Sequence, residues 1–288
     1  MKNNINIRKM IIWLVVIVVV SLTIAAIAFF STENYIVSFR GRNNFEGNSI
    51  DEVRTFNIYQ LKEIYIHSVS SDVSVFSTDE EDIKIHFYGR IALKSDKALP
   101  KLITNLEGGK LKIEIEYPKV LFYNANVALD VYIPLDYMDN INIDSVSAGI
   151  DISNLNINNL QCKTVSGDLR IESLGSDNLT LNTTSGDVNM MDFSGNLKAD
   201  SVSGDINVGY RVFDNNIDIK TISGKVKIDL PQDAEFYLKT NTVSGEVVAE
   251  FPLKIISFNK MNQLEGTVGK GDNSIIIDTV SGDIYINK

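Results

Sequence analysis

Near the end of the chain stands Thr279-Val280-Ser281-Gly282-Asp283-Ile284-Tyr285-Ile286, and seven looser copies of its opening lie upstream. In order they are Ser68-Val69-Ser70-Ser71-Asp72, Ser145-Val146-Ser147-Ala148-Gly149, Thr164-Val165-Ser166-Gly167-Asp168 and Thr183-Thr184-Ser185-Gly186-Asp187. Then come Ser201-Val202-Ser203-Gly204-Asp205, Thr221-Ile222-Ser223-Gly224-Lys225 and Thr242-Val243-Ser244-Gly245-Glu246. The third residue of each copy, a serine, falls at 70, 147, 166, 185, 203, 223, 244 and 281, a working period of about 19 broken by gaps of 77 and 37. A fixed period of this size marks a repeat architecture, in which each unit hides its apolar face only against its neighbours.

Apolar alternation flanks each copy. Leu179-x-Leu181-x-Thr183 runs into Val188-x-Met190, and Ile275-x-Ile277-x-Thr279 into Ile284-x-Ile286. Period two is the pattern of a half-buried strand. The inward parity 217, 219, 221, 223 resumes at 226 and 228, so Gly224-Lys225 inserts one extra residue. A break at glycine suits a corner, because glycine tolerates a left-handed φ and close backbone approach. Identical positions then stack about 4.8 Å apart in columns of Val, Ile, Ser and Thr. The expected fold is all-β: a parallel β-solenoid of about 19-residue coils, regular from 141 to 288, turned at Gly167, Gly186, Gly204, Gly224, Gly245 and Gly282. A sandwich would also show short strands and regular turns, but it gives no reason for one pentapeptide at every period. Upstream, the strands around Ile64, Val73, Ile83, Leu111 and Leu129 read either as degenerate coils or as an antiparallel meander, with a turn at Asp79–Asp82. The one helix expected outside a membrane lies near Ser95–Leu106, weakened by Pro100.

The 288 residues are 44% hydrophobic and 22% charged, a folded rather than disordered composition. The net charge of -10 is unevenly spread: residues 1–32 hold Lys2, Arg8 and Lys9 and no acid, which leaves 24 basic against 37 acidic residues, or -13, beyond them. That balance opposes a nucleic-acid partner, which needs a basic face, and suits a domain held off an anionic surface. Cys162 is the only cysteine, so no internal disulfide and no cysteine metal cluster can form. Residues 10–30 contain no charge, Pro or Gly. At about 1.5 Å per residue they reach about 31 Å, the depth of a hydrocarbon core. The cations in front place the N-terminus in the cytoplasm. The expected organisation is a cytoplasmic stub at 1–9, a single transmembrane helix at 10–30, a spacer at 31–60 that partly orders against the first strands, and a β-repeat ectodomain at 61–288 outside the cell membrane. A cleaved signal peptide is the alternative, since Ala26-Ile27-Ala28 resembles a cleavage box, but the apolar run exceeds the usual 7–15 or so.

Asp168, Asp187 and Asp205 follow the glycine in consecutive coils and would form a column of carboxylates. Their mutual repulsion, about 1 kcal/mol per neighbour in water, could be relieved by Ca²⁺, which prefers clustered oxygens. The plainer reading is preferred: each Asp accepts a backbone N–H within its own turn, and Lys225 supplies countercharge, so neither metal nor cofactor is expected. His67 and His86 share a register 19 residues apart and would be neighbours only if their strands stack in parallel; two separate strand histidines are the expectation. Ser257-Phe258-Asn259-Lys260 and Ser176-Asp177-Asn178 spell fragments of a penicillin-binding signature in the wrong order and without its third piece. Gly266–Gly271 lacks phosphate-loop spacing and reads as a turn before the last coil. The outward column Lys163, Asn182, Asp200 and Lys220 alternates in character, as a solvated face does, and opposes a catalytic groove. Residues 247–274 fill a missing repeat and read as a degenerate coil, with a loop folded over the end as the alternative.

The recurring T-V-S-G-D-[IL]-x-I, the Ile133-Pro134 strand end and the closing G-x-G-x-x-x-I-x-I-D-T-V-S-G-D-I resemble the DUF4097 family of bacterial adhesin-like β-strand-repeat proteins over roughly residues 60–288. The resemblance implies a cell-envelope protein with a solenoid-like ectodomain, frequently behind one membrane span, and some relatives are associated with envelope-stress systems. It transfers no catalytic residue. Ser71 and Ala148 depart from the motif glycine and Lys225 from the aspartate. The expected function is non-catalytic: adhesin-like binding or scaffolding by a membrane-anchored ectodomain. The alternatives are an accessory modulator of an envelope-stress sensing system and a carbohydrate-active β-helix enzyme. The expected partner is a cell-envelope polymer or an envelope or membrane protein. A homotypic contact by strand addition at the C-terminal coil is also expected, since that coil would have nothing stacked on it.

Overall fold

The computed structural model describes residues 48–91, 99–118, 125–259 and 262–288. The stub, the span expected at 10–30 and most of the spacer lie outside the described residues. Among the described residues, no helix is long and apolar enough to cross a membrane.

Among the described residues, twenty strands are arranged around two ladders joined at the motif corners. The ladder that enters the corners contains β2 (Glu63–Ser68), β8 (Asn140–Ser145), the second halves of β9 (Ile150–Thr164), β10 (Leu169–Thr183) and β11 (Val188–Ser201), and β13 (Ile217–Ser223). The ladder that leaves them contains β3 (Asp72–Thr78), the first halves of β9, β10 and β11, then β12 (Ile206–Tyr210) and β14 (Val226–Asp229). All of these pairings are parallel and in register. Leu160, Leu179, Leu197 and Ile217 form one column, and Ile150, Leu169, Val188, Ile206 and Val226 another. Both columns are buried. The alternation becomes strand because every second side chain enters this shared interior, worth about 1.5–3 kcal/mol for each buried Val, Leu or Ile.

A third side exists only in the middle. Asn154, Ser173 and Asp192, 19 residues apart, adopt left-handed φ values of 57, 55 and 59° and bend β9, β10 and β11. Leu155, Leu174 and Phe193 then stack beyond the bend. Toward the C-terminal end an aromatic series replaces this side. Phe193, Tyr210, Phe213, Phe236 and Phe251 meet edge-to-face at 5.1, 5.2, 6.1 and 5.1 Å, a favoured arrangement for aromatic quadrupoles.

At the N-terminal end the stack departs from chain order. The outer edges of β2 and β3 take β6 (Lys110–Glu116) and β7 (Ala125–Pro134) in parallel, so the 110–134 coil lies outside the 63–78 coil. Beyond it the pairing turns antiparallel: β4 (Asp82–Ile91) on β7, β1 (Asn48–Asn57) on β4, and β5 (Lys101–Glu107) on β6. The region expected as coils or meander is thus both. Of the helix expected near Ser95–Leu106, residues 95–98 lie outside the described residues, and β5 takes the place of the rest from Lys101. Leu102 fills the interior opposite Ile115, and Gly108-Gly109 make the two-residue hairpin turn with φ of 59 and 77°. Asn48–Asn57 shows where the spacer orders against the first strands.

The C-terminal end is intercalated as well. β19 (Ser274–Ser281) pairs with β13 on one edge and with β15 (Phe236–Asn241) on the other, both parallel. β20 (Ile284–Asn287) lies between β14 and β16 (Val247–Ala249). The last motif copy is therefore the penultimate coil, and the 236–249 coil is outermost. This corrects the expectation of an uncovered C-terminal coil and of a homotypic contact through it. Residues 247–274 are not one degenerate coil: β17 (Lys254–Asn259) and β18 (Gln263–Val268) form an antiparallel pair that continues the ladder beyond β15. Phe251 turns inward beneath them, with the Lys288 ammonium 5.5 Å from its ring centre.

Candidate functional site

In the middle coils the corners are fastened by their own hydroxyls. Thr164 and Thr183, both buried, accept N–H bonds at Oγ1 from Gly167 (3.0 Å) and Gly186 (3.1 Å). Ser147 and Ser185 reach the previous coil, donating to the carbonyls of Val69 (3.0 Å) and Val165 (3.1 Å). The glycines are needed chiefly for close approach. A Cβ on Gly167 would lie 1.7 Å from the Ala148 carbonyl oxygen, and on Gly186 2.0 Å from that of Gly167. Gly204 and Gly224 continue the column at 2.5 and 2.1 Å, then Gly282 faces Gly224 at 2.0 Å and Gly245 faces Gly282 at 2.2 Å. Left-handed φ accompanies the approach at Gly204 and Gly224 but not at Gly167 or Gly186. Ser71 has room for its side chain because no motif corner lies outside it, and its hydroxyl meets that of Tyr117 at 2.5 Å. The inward run also stops one position earlier than the parity suggests: Thr221 and Val226 are buried and Ser223 is exposed, so 222–225 form the corner.

The aspartates do align, but their acceptor oxygens are occupied across coils rather than within one turn. Asp168 Oδ1 accepts the Asp187 N–H (3.0 Å), Asp187 that of Asp205 (2.8 Å), and Asp205 that of Lys225 (2.8 Å). Asp72 serves Gly149, and Asp283 serves Glu246, in the same way at 2.9 Å. A residue here donates its N–H wherever the neighbouring rung carries Asp and, when acidic, accepts from the rung on its other side. Lys225 donates in this way, so the departure from aspartate is tolerated. Among the described residues, no group of three or more His, Cys, Asp or Glu is arranged to hold a metal.

A second periodic set was not singled out in the sequence. Asn140, Asn159, Asn178, Asn196 and Asn216 recur at intervals of 19, 19, 18 and 20, in phase with the motif. Their amides run along the outside of the entering ladder: Asn159 Nδ2 donates to Asn140 Oδ1 (2.7 Å), and Asn178 Nδ2 to Asn159 Oδ1 (3.0 Å). Beyond them, Asn196 Oδ1 accepts from the Asn216 N–H (3.0 Å), and Asn216 Oδ1 from the Ser274 N–H (2.9 Å). With Glu63, Asn142 and Gln161, the first three line an open depression of about 320 Å³. Glu63 accepts from Lys110 Nζ and Asn142 Nδ2, both at 2.8 Å. The Lys110 bond is the main influence holding its carboxyl below the usual range, against burial. An amide in such a row spends one donor and one acceptor on its neighbours and retains a second of each. Farther along this face, burial raises the Asp200 carboxyl against the opposing pull of Lys220 and Lys198.

The histidines are apart. His67 lies on β2 between Glu114 and Asp144 in register, whereas His86 lies on β4, bonded through Nε2 to Asp51 Oδ1 at 2.8 Å. β7 separates β3 from β4, so the parallel stacking that would pair the imidazoles does not arise. Cys162 is buried in the apolar interior, which pushes its thiol pKa up. Ser257 sits on β17 and Ser176 on β10, and Lys260 lies outside the described residues.

Parallel coils, close-packed corners and polar outer faces define a repeat scaffold that presents surfaces. The chain belongs to the DUF4097 family, described as Toastrack, whose model matches residues 61–287. Among solved structures it is similar to a candidate cell-adhesion protein from Clostridium sporogenes, at 15% identity over 83% of this chain and 99% of that one, with a TM-score of 0.36. It is also similar to a candidate adhesin from Bacteroides fragilis, at 12% identity over 83% and 96%, TM-score 0.44. A candidate lipid-binding protein from Parabacteroides distasonis matches at 15% identity over 83% and 98%, TM-score 0.35. No curated protein matches the chain.

Proposed function

We propose that this is a non-catalytic, membrane-anchored protein of the bacterial envelope that binds or scaffolds wall polymer through its coil stack. The amide row from Asn140 to Asn196 carries the reading. It offers regularly spaced, uncharged donors and acceptors along one exposed face, which suits an extended polymer rich in hydroxyl and amide groups. The Toastrack family match supports an adhesin-like role. The uncharged run at 10–30 behind Lys2, Arg8 and Lys9 supports a single-pass anchor with the coil stack outside the cell membrane. Full-length protein in detergent should sediment with isolated cell-wall material, with little loss on raising salt, because the face is dominated by neutral groups. Failure to sediment at every salt concentration would contradict the proposal.

A further inference from the structure

The outer face of the leaving ladder changes character at its N-terminal end. In the regular coils the outward positions in line with Ser74 are Asp151, Arg170, Asn189, Asn207 and Lys227, and those in line with Phe76 are Ser153, Glu172 and Met191, so Met191 alone among them is apolar. On β3, β7 and β4 they include Phe76, Tyr132, Tyr88 and His86. Pairing fixes the arrangement: Phe76 is opposite Tyr132, Tyr132 opposite Lys84, and Asp130 opposite His86. The Phe76 and Tyr132 rings are 5.7 Å apart, and His86 stacks on Tyr88 at 4.5 Å. Lys84 Nζ stands 5.5 Å from the Tyr132 ring centre. Asp130 lies between Tyr88 and Tyr132 and bears on both phenols, which burial and then this carboxylate keep protonated above their ordinary pKa.

We propose that this face is a glycan-binding site, in which Tyr88, Tyr132 and Phe76 take pyranose rings and Asp130 and His86 take their hydroxyls. Aromatic faces are negative and attract the polarised C–H bonds of a sugar ring. Tyrosine gives a large contact at small entropic cost and keeps a polar tip for hydroxyls. Charge selects the class of glycan. The face carries Asp51 and Asp130 against Lys84, and the chain beyond residue 32 is -13, so a polyanionic polymer is repelled and a neutral one is not. The inference rests on the envelope-binding reading and gives it a second, discrete contact for a short oligosaccharide.

The test is calorimetric titration of the full-length protein in detergent with chitotetraose and with cellotetraose. At least one should bind. Tyr88→Ala and Tyr132→Ala should each weaken it tenfold or more, Tyr88→Phe should keep the ring contact and lose less, and each tyrosine-to-alanine loss should exceed that of Asn159→Ala with Asn178→Ala. Circular dichroism checks that each variant folds, and the Tyr88→Phe comparison separates ring stacking from a fold defect. Binding of neither probe would overturn the site, as would binding that is lost only in the asparagine variants. Capture of an envelope protein without saccharide binding would also overturn it. Sedimentation with wall material alongside a failed titration would leave the wall-binding proposal standing and remove this one alone.

Discussion

The coils between Asn140 and Asp229 and the two ends that flank them use the same parallel hydrogen bonds to different effect. In the middle, each coil lies on the one written before it, and the glycine, hydroxyl and aspartate of the corner repeat the same contacts. At both ends the chain doubles back. The 63–78 coil is slipped inside the 110–134 coil, and the 274–287 coil inside the 236–249 coil. Antiparallel strands then extend beyond the outermost coils. The difference teaches that the corner motif specifies stacking without specifying sequence of stacking. Each motif glycine meets a carbonyl of a neighbouring corner, and Asp72, Asp168, Asp187, Asp205 and Asp283 each present an acceptor to a neighbouring N–H, so the same contacts serve coils that are not consecutive in the chain. The order at the C-terminal end is chosen by contacts outside the motif. Asn287 Nδ2 bonds Asp229 Oδ1 (2.9 Å), Asn241 Nδ2 bonds Asp278 Oδ1 (2.6 Å), and Ser274 bonds Asn216.

The sharpest contrast is between a glycine of the middle and one of the ends. Gly186→Ala places a methyl group 2.0 Å from a backbone oxygen that cannot move without shifting a coil, and should cost about 4 kcal/mol in urea denaturation. Gly108→Ala, in the β5–β6 hairpin, meets nothing within 4 Å and suffers only its φ of 59°, about 1 kcal/mol. Equal losses would break the distinction between close approach and backbone strain.

Alkaline pH should separate the regions next. No tyrosine lies between 138 and 209. Burial raises the phenol pKa of Tyr65 and Tyr137 at one end and of Tyr210 late in the middle stretch, and burial followed by Glu265 pushes Tyr237, at the other end, up to about 12. An unfolded tyrosine ionises near pH 10. Above that pH the unfolded chain gives up protons that the folded chain keeps. Stability is therefore fully present below about pH 10 and is lost as pH rises toward the folded values. The urea midpoint should fall steadily from pH 10 to 12, and less steeply in a Tyr65→Phe, Tyr137→Phe variant. An unchanged slope in that variant would deny the ends their part.

The smallest effect expected is at the aspartate column. Asp187→Ala removes the acceptor of the Asp205 N–H and should cost about 1 kcal/mol, whereas Asp187→Asn keeps an acceptor oxygen and should cost less. Millimolar calcium should shift the melting temperature of neither the parent nor the variants. A calcium-dependent rise lost in both variants would restore the metal reading.

Much of this was legible in the residues. The Ile-x-Ile and Leu-x-Leu alternation gave the strands, and the S-G-D spacing placed the middle coils in register. The Asn140–Asn216 row carried the same period and was hidden only because asparagine at a loop also reads as a turn former. Three features were not legible. The hairpin at Gly108-Gly109 was masked by an apparent helix whose Leu102 and Leu106 suit a β-strand equally well. The intercalated coils left only gaps of 77 and 37, which a missed repeat explains just as simply. The aromatic face required knowing that β7 separates β3 from β4 and brings Tyr132 between Phe76 and Lys84.

The stacking order is tested most directly by paired cysteines at motif serines on a Cys162→Ala background. Parallel partners at neighbouring rungs lie about 4.8 Å apart, within disulfide reach. Ser281 is opposite Ser223 on one side and bridged to Ser244 on the other. Under mild oxidation, Ser223→Cys with Ser281→Cys and Ser244→Cys with Ser281→Cys should both form intramolecular disulfides, while Ser223→Cys with Ser244→Cys should not. Efficient closure of the 223–244 pair, with the other two unreactive, would mean that the coils stack in chain order and would contradict the intercalated C-terminal end.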